Sequence, residues 1–216
     1  MAQRVLCPIC KKSRPERFCP AQGDKICAVC CGTERERTLD CPADCVYLIR
    51  AHRYEQEHRQ PLTADDMPFP GVDVSRNLIH EQEPLVSGLA HMLVKFSDER
   101  RALTDPDTLA AVTALAETYR TLVSGIYYEK PPDSPLQAAL YAALAAFIQQ
   151  YKQQSASANF ATLKDSAVFP VLVYLARVCR NSTNGRPRSR LFLQLLRDGN
   201  PQVQEQPAET SRIITP

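Results

Sequence analysis

Residues 7–45 read CPICKKSRPERFCPAQGDKICAVCCGTERERTLDCPADC and contain eight of the nine cysteines of the 216-residue chain. Two pairs in this stretch, CPIC and CAVC, place two residues between their cysteines, so that one tight turn can aim both sulfurs at the same ion. Eight thiolates would satisfy two tetrahedral zinc ions with none left over. The stretch therefore predicts a metal-binding finger, and closed four-thiolate sites are structural because no coordination position stays open.

The alternative uses of these cysteines are disulfides, reduced structural thiols and an iron–sulfur cluster. Residues 1–10 contain no apolar leader typical of secretion, which favours an intracellular, cytoplasmic protein and argues against disulfides. The C-x2-C-x2-C-x3-C-P run of common iron–sulfur clusters is missing. We therefore predict two zinc ions and eight ligands, namely Cys7, Cys10, Cys19, Cys27, Cys30, Cys31, Cys41 and Cys45.

The spacing of these cysteines resembles that of a known class of zinc finger. The run Cys7-x2-Cys10-x8-Cys19-Pro20, followed by Cys27-x3-Cys31, is similar to fingers of the HIT and MYND classes, which are small cross-braced modules holding two zinc ions. The resemblance covers roughly the first 45 residues and none of the remainder. Because such fingers mostly act as protein-interaction modules, the resemblance implies a protein partner. The implied ligand sets are Cys7, Cys10, Cys27 and Cys31 for one ion, and Cys19, Cys41 and Cys45 for the other.

Two departures from the pattern of those fingers affect the second site. Gln22 stands where they have the partner of Cys19, and an amide cannot replace a thiolate. Cys41 stands where a histidine is usual, after a longer spacing. Cys30 is the thiolate that the pattern leaves free, and it is the first candidate to complete the second site.

Cys30 and Cys31 are predicted to serve different ions, because adjacent side chains point in roughly opposite directions in extended or turning backbone. A competing assignment pairs Cys27 with Cys30 and gives Cys31 to the second site. Both assignments split the adjacent cysteines. His52 or His58 would enter a site only if Cys30 did not.

The rest of the chain is organised around a helical region. Residues 46–59 read as a short polar helix that leaves the finger, and 60–73 carry three prolines and a glycine, which predicts a linker or an ordered strap. Over 74–199 apolar residues recur at helical spacing, which predicts an all-α bundle of four or five helices. The polar segment 200–216 predicts a flexible tail. We therefore expect a mainly α protein in which a finger over 1–59 precedes the bundle.

Prolines mark most of the predicted helix starts. Pro84 either kinks one helix or opens a new one. Asp105 is predicted to cap a helix that has Pro106 at its first position, Pro135 opens the next helix, and Pro187 opens the last.

Charge and motif content restrict the function. The net charge of +2 argues against a generally basic nucleic-acid coat, and no GxGxxG or GxxxxGK[ST] motif is present. We favour a zinc-binding adaptor that contacts a protein partner, with no catalytic arrangement and no membrane association. A nucleic-acid-associated regulator is the alternative, because Lys11, Lys12, Arg14 and Arg17 cluster in the first loop. An enzyme with an unrecognised site in the helical region is the third hypothesis.

A second group of basic residues surrounds the predicted turn near residue 185. Arg180, Arg186, Arg188 and Arg190 are predicted to pair with carboxylates or carbonyls, and an anion or acidic-partner site is the alternative. Cys179 falls in an apolar helical stripe and is predicted to be a buried core residue rather than a metal ligand.

Overall fold

The computed structural model describes residues 5–157 and 163–199. These contain a two-stranded antiparallel sheet, β1 (Arg17–Cys19) and β2 (Asp24–Ile26), and eight α-helices. The helices are α1 (Ala28–Thr33), α2 (Val46–Glu57), α3 (Arg76–Glu81), α4 (Glu83–Glu99), α5 (Asp105–Val123), α6 (Pro135–Ser157), α7 (Asp165–Ser182) and α8 (Leu191–Gly199). The mainly α class is thereby confirmed. None of the described helices is long and apolar enough to cross a membrane, and the tail predicted over 200–216 lies outside the described residues.

The two strands form a hairpin inside the finger. Cys19 pairs with Asp24 at its closed end, where the Gly23 amide donates to the Cys19 carbonyl at 2.9 Å. Gly23 has φ +65, a conformation that side chains with a Cβ adopt rarely. Each strand is only three residues long, too short for an alternating pattern, so the sequence does not predict this hairpin.

Helix α2 is the short polar helix predicted to leave the finger. Its Leu48 is buried, while Ile49 is nearly half exposed. The guanidinium of Arg17 in β1 lies 4.8 Å from the centroid of the Tyr47 ring, so a cation–π contact links the hairpin to the first turn of this helix.

The helical region builds one continuous apolar core. Helix α5 packs against α6 and α7, and α4 packs against α6 and α8. Helix α4 approaches α6 closely at Gly88, where an added Cβ would lie 2.5 Å from the Phe147 ring. The largest fully buried side chains of this core are Leu85, Leu89, Leu93, Leu103, Leu115, Leu140, Leu144, Ile148, Leu172, Phe192 and Leu193.

The predicted helix starts are only partly right. Pro84 lies in the first turn of a new helix, α4, so the alternative of a kinked single helix is wrong. Pro135 is the first residue of α6, as predicted. The described helical region contains six helices rather than four or five, because the segment ahead of residue 100 is divided into α3 and α4.

Asp105 does not cap its own helix, contrary to the prediction. The cap of α5 is Thr104, whose hydroxyl accepts a hydrogen bond from the Asp107 amide at 3.4 Å. The Asp107 carboxylate in turn accepts from the Thr104 amide at 3.2 Å and from its hydroxyl at 2.6 Å. These reciprocal bonds form a capping box one residue earlier than expected.

The Asp105 carboxylate instead caps the last helix, α8. It is fully buried and accepts hydrogen bonds from the Ser189 hydroxyl at 2.7 Å and from the amides of Phe192 and Leu193 at 3.2 and 3.3 Å. These amides belong to the first turn of α8, which therefore begins later than Pro187, the predicted start.

The segment predicted as a linker or strap is an ordered strap on α7. The Phe69 ring contacts Phe169 edge to face at 5.7 Å between centroids. The Arg177 guanidinium donates to the carbonyls of Pro68 at 3.1 Å and Val72 at 2.8 Å. This segment therefore packs on the helical core.

Candidate metal centre

Four cysteine sulfurs converge at the base of the finger. The sulfurs of Cys7, Cys10, Cys27 and Cys30 all lie within 4.8 Å of one another. The Cys10–Cys27 distance is 3.9 Å, close to the separation of about 3.8 Å that tetrahedral Zn–S bonds of about 2.3 Å require. The donor set therefore fits a zinc ion, and we refer to these four residues as the first cysteine group.

Local backbone geometry points both cysteine pairs inward. In the first pair, the Lys11 amide donates to the Cys7 carbonyl at 2.8 Å, and Lys11 adopts a left-handed φ of +54 that closes the turn. In the second pair, Cys27 is the N-cap of α1, and its sulfur accepts from the Cys30 amide at 3.4 Å. The Cys27 amide donates to the Cys7 sulfur at 3.3 Å, which joins the two turns.

Backbone amides favour the thiolate form of the first pair. The amides of Ser13 and Lys12 donate to the Cys10 sulfur and lower its pKa to about 6. Burial alone would raise the pKa of Cys7, but hydrogen bonds from backbone amides, including those of Cys10 and Cys27, outweigh it and the pKa is lowered. Thiolates are the form that binds zinc.

Cys30 shows the opposite shift. Burial, followed by hydrogen bonds with the sulfurs of Cys27, Cys10 and Cys7, raises its pKa to about 12. A dication bound among the four sulfurs would stabilise the thiolate in its place. Metal binding at this group would therefore release a proton from Cys30.

The structure separates Cys30 from its neighbour Cys31. Cys30 completes the first group. The ligand set implied by the resemblance, which has Cys31 in that place, is therefore wrong. The competing assignment, which pairs Cys27 with Cys30, fits. The reason is that α1 begins directly after Cys27, and its first turn brings Cys30 back over the Cys27 sulfur. Cys31 is rotated by about 100° around the helix and faces another side.

The remaining cysteines line a small cavity, which Cys31 shares with Cys19, Cys41 and Cys45. Among the described residues, only the first cysteine group has its sulfurs within 4.8 Å of one another, so the sulfurs of the predicted second site are less closely gathered. Burial raises the pKa of Cys41, and the nearby Cys19 and Cys45 sulfurs raise it further. Arg35 lines the same cavity, and its buried Nε has no hydrogen-bond partner among the described residues. A buried cationic donor without an acceptor is what an anionic metal–thiolate centre would satisfy.

Both histidines that the sequence leaves as alternative ligands have other partners. The Nε2 of His52 lies 2.8 Å from the Glu36 carboxylate. The His58 ring stacks on Tyr54 at 4.0 Å between centroids, and its Nδ1 lies 2.9 Å from the Tyr54 carbonyl. Because Cys30 completes the first group, neither histidine is needed there.

Glu36 connects the finger to the helical region. It is almost fully buried and has φ +51, a sparsely populated conformation for a residue other than glycine. Its carboxylate pairs with His52 and accepts from the Asn184 side-chain amide at 2.8 Å. Its carbonyl accepts from the Arg188 amide at 2.9 Å. Contacts from the loop between α7 and α8 thus hold Glu36, the strained residue of the finger, in place.

The arginines of that loop bind the finger itself. Arg186 donates to the Glu55 carboxylate at 2.7 Å. Arg190 pairs with Asp40 and donates to the Leu103 carbonyl at 3.0 Å. The prediction of carboxylate and carbonyl partners is confirmed for these two residues, although the carboxylates lie in a distant part of the sequence. The loop and the finger together form a polar junction.

Sequence reasoning missed Glu36 and Arg35. Both lie in the charged run ERER over 34–37, a composition typical of a solvated surface. Their contacts with Asn184 and Arg186 span 148 and 151 residues of sequence, so no local pattern reveals them. One feature of the sequence hints at their role: the run lies between cysteines that are predicted to bind the same ions.

The structure also locates Cys179 and the basic residues of the first loop. Cys179 is fully buried, as predicted, and burial raises the pKa of its thiol, which donates to the Asp105 carbonyl at 3.6 Å. Lys11, Lys12 and Arg14 are exposed.

Comparison with known proteins finds no family model, no curated protein and no solved structure that matches the chain. The resemblance to HIT and MYND fingers therefore stays a prediction. The geometry of the cysteines is the basis on which a function can be argued.

Proposed function

We propose that the finger, residues 5–57, binds two structural zinc ions and that the protein acts as a protein-interaction adaptor. The first cysteine group carries the zinc assignment, because its four sulfurs lie within 4.8 Å of one another. Soft thiolate ligands in a tetrahedral set select zinc over hard cations. Four protein ligands leave no coordination position for a substrate, so the bound ion would order the finger rather than catalyse a reaction.

The second zinc ion would be held by Cys19, Cys31, Cys41 and Cys45, the four cysteines that line the small cavity. Four thiolates and one dication carry a net charge of −2, and the guanidinium of Arg35 would balance part of it. The buried Nε of Arg35 would then have a sulfur acceptor. Such a partner outside the ligand set helps to fix the ligands and tune their basicity.

The polar junction supports the adaptor role. Glu36, Arg186 and Arg190 dock the finger on the helical region, so that an ordered finger would present one rigid surface with the helices. A preorganised surface binds a partner with a smaller loss of conformational entropy. Arg186 and Arg190, for which an anion or acidic-partner site is the alternative prediction, contact the protein itself. The nucleic-acid alternative depends on Lys11, Lys12, Arg14 and Arg17 of the first loop and stays a prediction.

Zinc analysis of the full chain and three cysteine variants tests the metal assignment. The wild-type chain should carry about two zinc ions. Cys27→Ser and Cys41→Ser should each carry about one, because each removes a ligand from a different group. Cys179→Ser is the matched control, since this cysteine lies in the helical core, and it should keep both ions.

Each other result would change the assignment in a specific way. A wild-type chain with one zinc ion that Cys41→Ser retains would remove the second site and leave the first. Iron with visible absorbance, or zinc content unchanged in Cys27→Ser, would contradict the first site.

A further inference from the structure

A cleft of about 690 Å³ lies between the finger and the helical region. The finger lines the cleft with Glu36, residues 40–43 and side chains of α2. The helical region lines it with Arg101, α8 and the residues directly before α8. The volume lies within the range typical of ligand sites. The cleft is therefore formed jointly by the two regions that the polar junction connects.

The cleft is positively charged. Five arginines line it against two carboxylates: Arg53, Arg101, Arg188, Arg190 and Arg197 against Glu36 and Asp40. Because arginine is charged at any physiological pH, this excess of cations attracts an anionic ligand.

Two of these arginines remain available. Arg188 and Arg190 pair with Asp40, Arg188 at 4.0 Å, and Arg197 pairs with a carboxylate at the end of α4 at 2.6 Å. Arg53 and Arg101 are exposed, and no other described residue provides either guanidinium with a partner. A free guanidinium offers two parallel N–H donors whose geometry matches a carboxylate.

The apolar side chains of the cleft favour an acidic peptide over a nucleic acid as its anionic ligand. Leu48, Ile49 and Leu191 line the cleft beside the arginines, and Ile49 is 45% exposed. No phenylalanine, tyrosine or tryptophan is among the described residues that line the cleft, and the one aromatic ring there, that of His52, is bonded to Glu36. Sites for single-stranded nucleic acid rely on stacking against several aromatic rings. Carboxylates next to an apolar side chain therefore fit this surface better than bases and phosphates do.

We propose that this cleft binds an acidic peptide segment of a partner protein. Carboxylates of the segment contact Arg53 and Arg101, and an apolar side chain packs against Ile49. The inference rests on the proposed function, because Cys41 lines the cleft and is a ligand of the proposed second zinc ion, which would order the finger side of the cleft.

Fluorescence anisotropy on the full zinc-loaded chain tests this inference. The probe is a labelled peptide of alternating glutamate pairs and leucine pairs. The double variant Arg53→Glu/Arg101→Glu should bind it at least about tenfold more weakly, because attraction becomes repulsion at both contacts. Arg50→Glu is the matched control, since Arg50 is exposed on the same helix but does not line the cleft; it should bind as the wild type does.

Zinc content and thermal unfolding are measured on the same samples. These substitutions affect exposed side chains, so both properties should stay unchanged. A wild-type chain that carries zinc but does not bind the peptide overturns this inference and leaves the zinc assignment intact. A zinc-free chain that binds through Arg53 and Arg101 supports the cleft and overturns the zinc assignment.

Three further results would overturn the inference. Because Arg50→Glu changes half as much charge as the double variant, a loss of binding in Arg50→Glu equal to that in Arg53→Glu alone would indicate general charge attraction. Equal affinity for a peptide with glutamine in place of glutamate would remove the role of the carboxylates. Tighter binding of single-stranded oligo(dT) than of the peptide, lost in the double variant, would assign the cleft to nucleic acid.

Discussion

The finger, residues 5–57, buries few apolar side chains, whereas the helical region, residues 76–199, buries many. Among the described residues, the buried cluster of the finger has six members, four of which are cysteines, with Ile26 and Leu39 as the others. The helical core has 23 buried members in the described part of that region. Burial of apolar surface, worth about 25 cal/mol per Å², can stabilise the helices without a ligand. The finger is too small for that and needs another source of stability.

On the proposed function, the cysteines would supply that stability by binding a metal. In the first group the pKa of Cys10 is lowered to about 6 by amide hydrogen bonds, while the pKa of Cys30 is raised to about 12 by burial and the neighbouring sulfurs. Without a cation, crowded sulfurs compete for protons and thiolates repel. With a cation, the same sulfurs become its ligands. We therefore expect the stability of the finger to depend on the metal and that of the helical region to depend on apolar burial.

Removal of zinc should have the largest effect, and it should affect only one region. Treating the full chain with a chelator removes an apparent binding free energy of about 10–16 kcal/mol per structural zinc site. We expect amide hydrogen exchange to become fast over 5–57 and to stay slow in α5 and α7. Exchange measured by mass spectrometry before and after chelation checks this difference.

Restoring zinc provides the control for that experiment. Protection of the finger should return with zinc and not with magnesium, because thiolates bind hard cations weakly. Loss of protection in α5 together with the finger would show that the two regions unfold as one unit.

The comparison also explains which features could be predicted from the sequence. The C-x2-C pairs and the helix starts at Pro84 and Pro135 depend on neighbours within a few residues, and their patterns are local. The resemblance placed Cys31 with the first pair because it transferred a spacing without the start of α1. That start, directly after Cys27, decides that Cys30 faces the first group.

Features that depend on distant contacts could not be predicted. Asp105 has the sequence context of a cap for α5, yet its carboxylate accepts from amides of α8, more than eighty residues later. Glu36 reads as a solvated charge until Asn184 is placed against it. The free energy of such contacts depends on the tertiary arrangement, which local propensity does not contain.

The strap over 60–73 packs on α7, so its stability should follow that of the helical region and not that of the finger. A fragment that starts at residue 60 should unfold cooperatively and independently of chelator. A fragment that starts at residue 74 should be less stable by about 2 kcal/mol, because Phe69 is lost from Phe169 and Arg177 loses its carbonyl acceptors. Urea unfolding followed by circular dichroism measures the difference. Equal stability of the two fragments would show that the strap contributes nothing to the core.

The junction between the regions should couple them only weakly. A double-mutant cycle with Arg186→Ala and Glu55→Ala in the zinc-loaded chain should give a coupling of about 0.5–1 kcal/mol, because both side chains are less than one-third exposed. The pair Arg120 and Glu117 within α5 is the control, since it is more exposed and should couple less. A coupling of zero at the junction would mean that the finger docks without help from this ion pair.

Asp105 should produce the smallest effect, a change in pH dependence that belongs to the helical region. Burial raises the pKa of its carboxyl above the ordinary value of 3.8, although the Ser189 hydroxyl and the amides of α8 oppose this shift. The folded state then binds the proton more tightly than the unfolded state does. The resulting stabilisation is complete below the unfolded pKa and is lost as the pH rises through the folded pKa.

Asparagine does not titrate, so a comparison with Asp105→Asn isolates the contribution of the Asp105 carboxyl to the pH dependence of stability. The free energy of unfolding of the wild type, minus that of Asp105→Asn, should shift in favour of the wild type as the pH falls from about 7 to about 4. Zinc ligands also become protonated in acid, but this effect is common to both chains and cancels in the difference. Asp73→Asn, at an exposed position, is the control for the loss of one carboxylate and is measured over the same pH range. If the Asp105 difference is constant with pH, its carboxyl has the same pKa in both states, and the bonds from the first turn of α8 offset its burial completely.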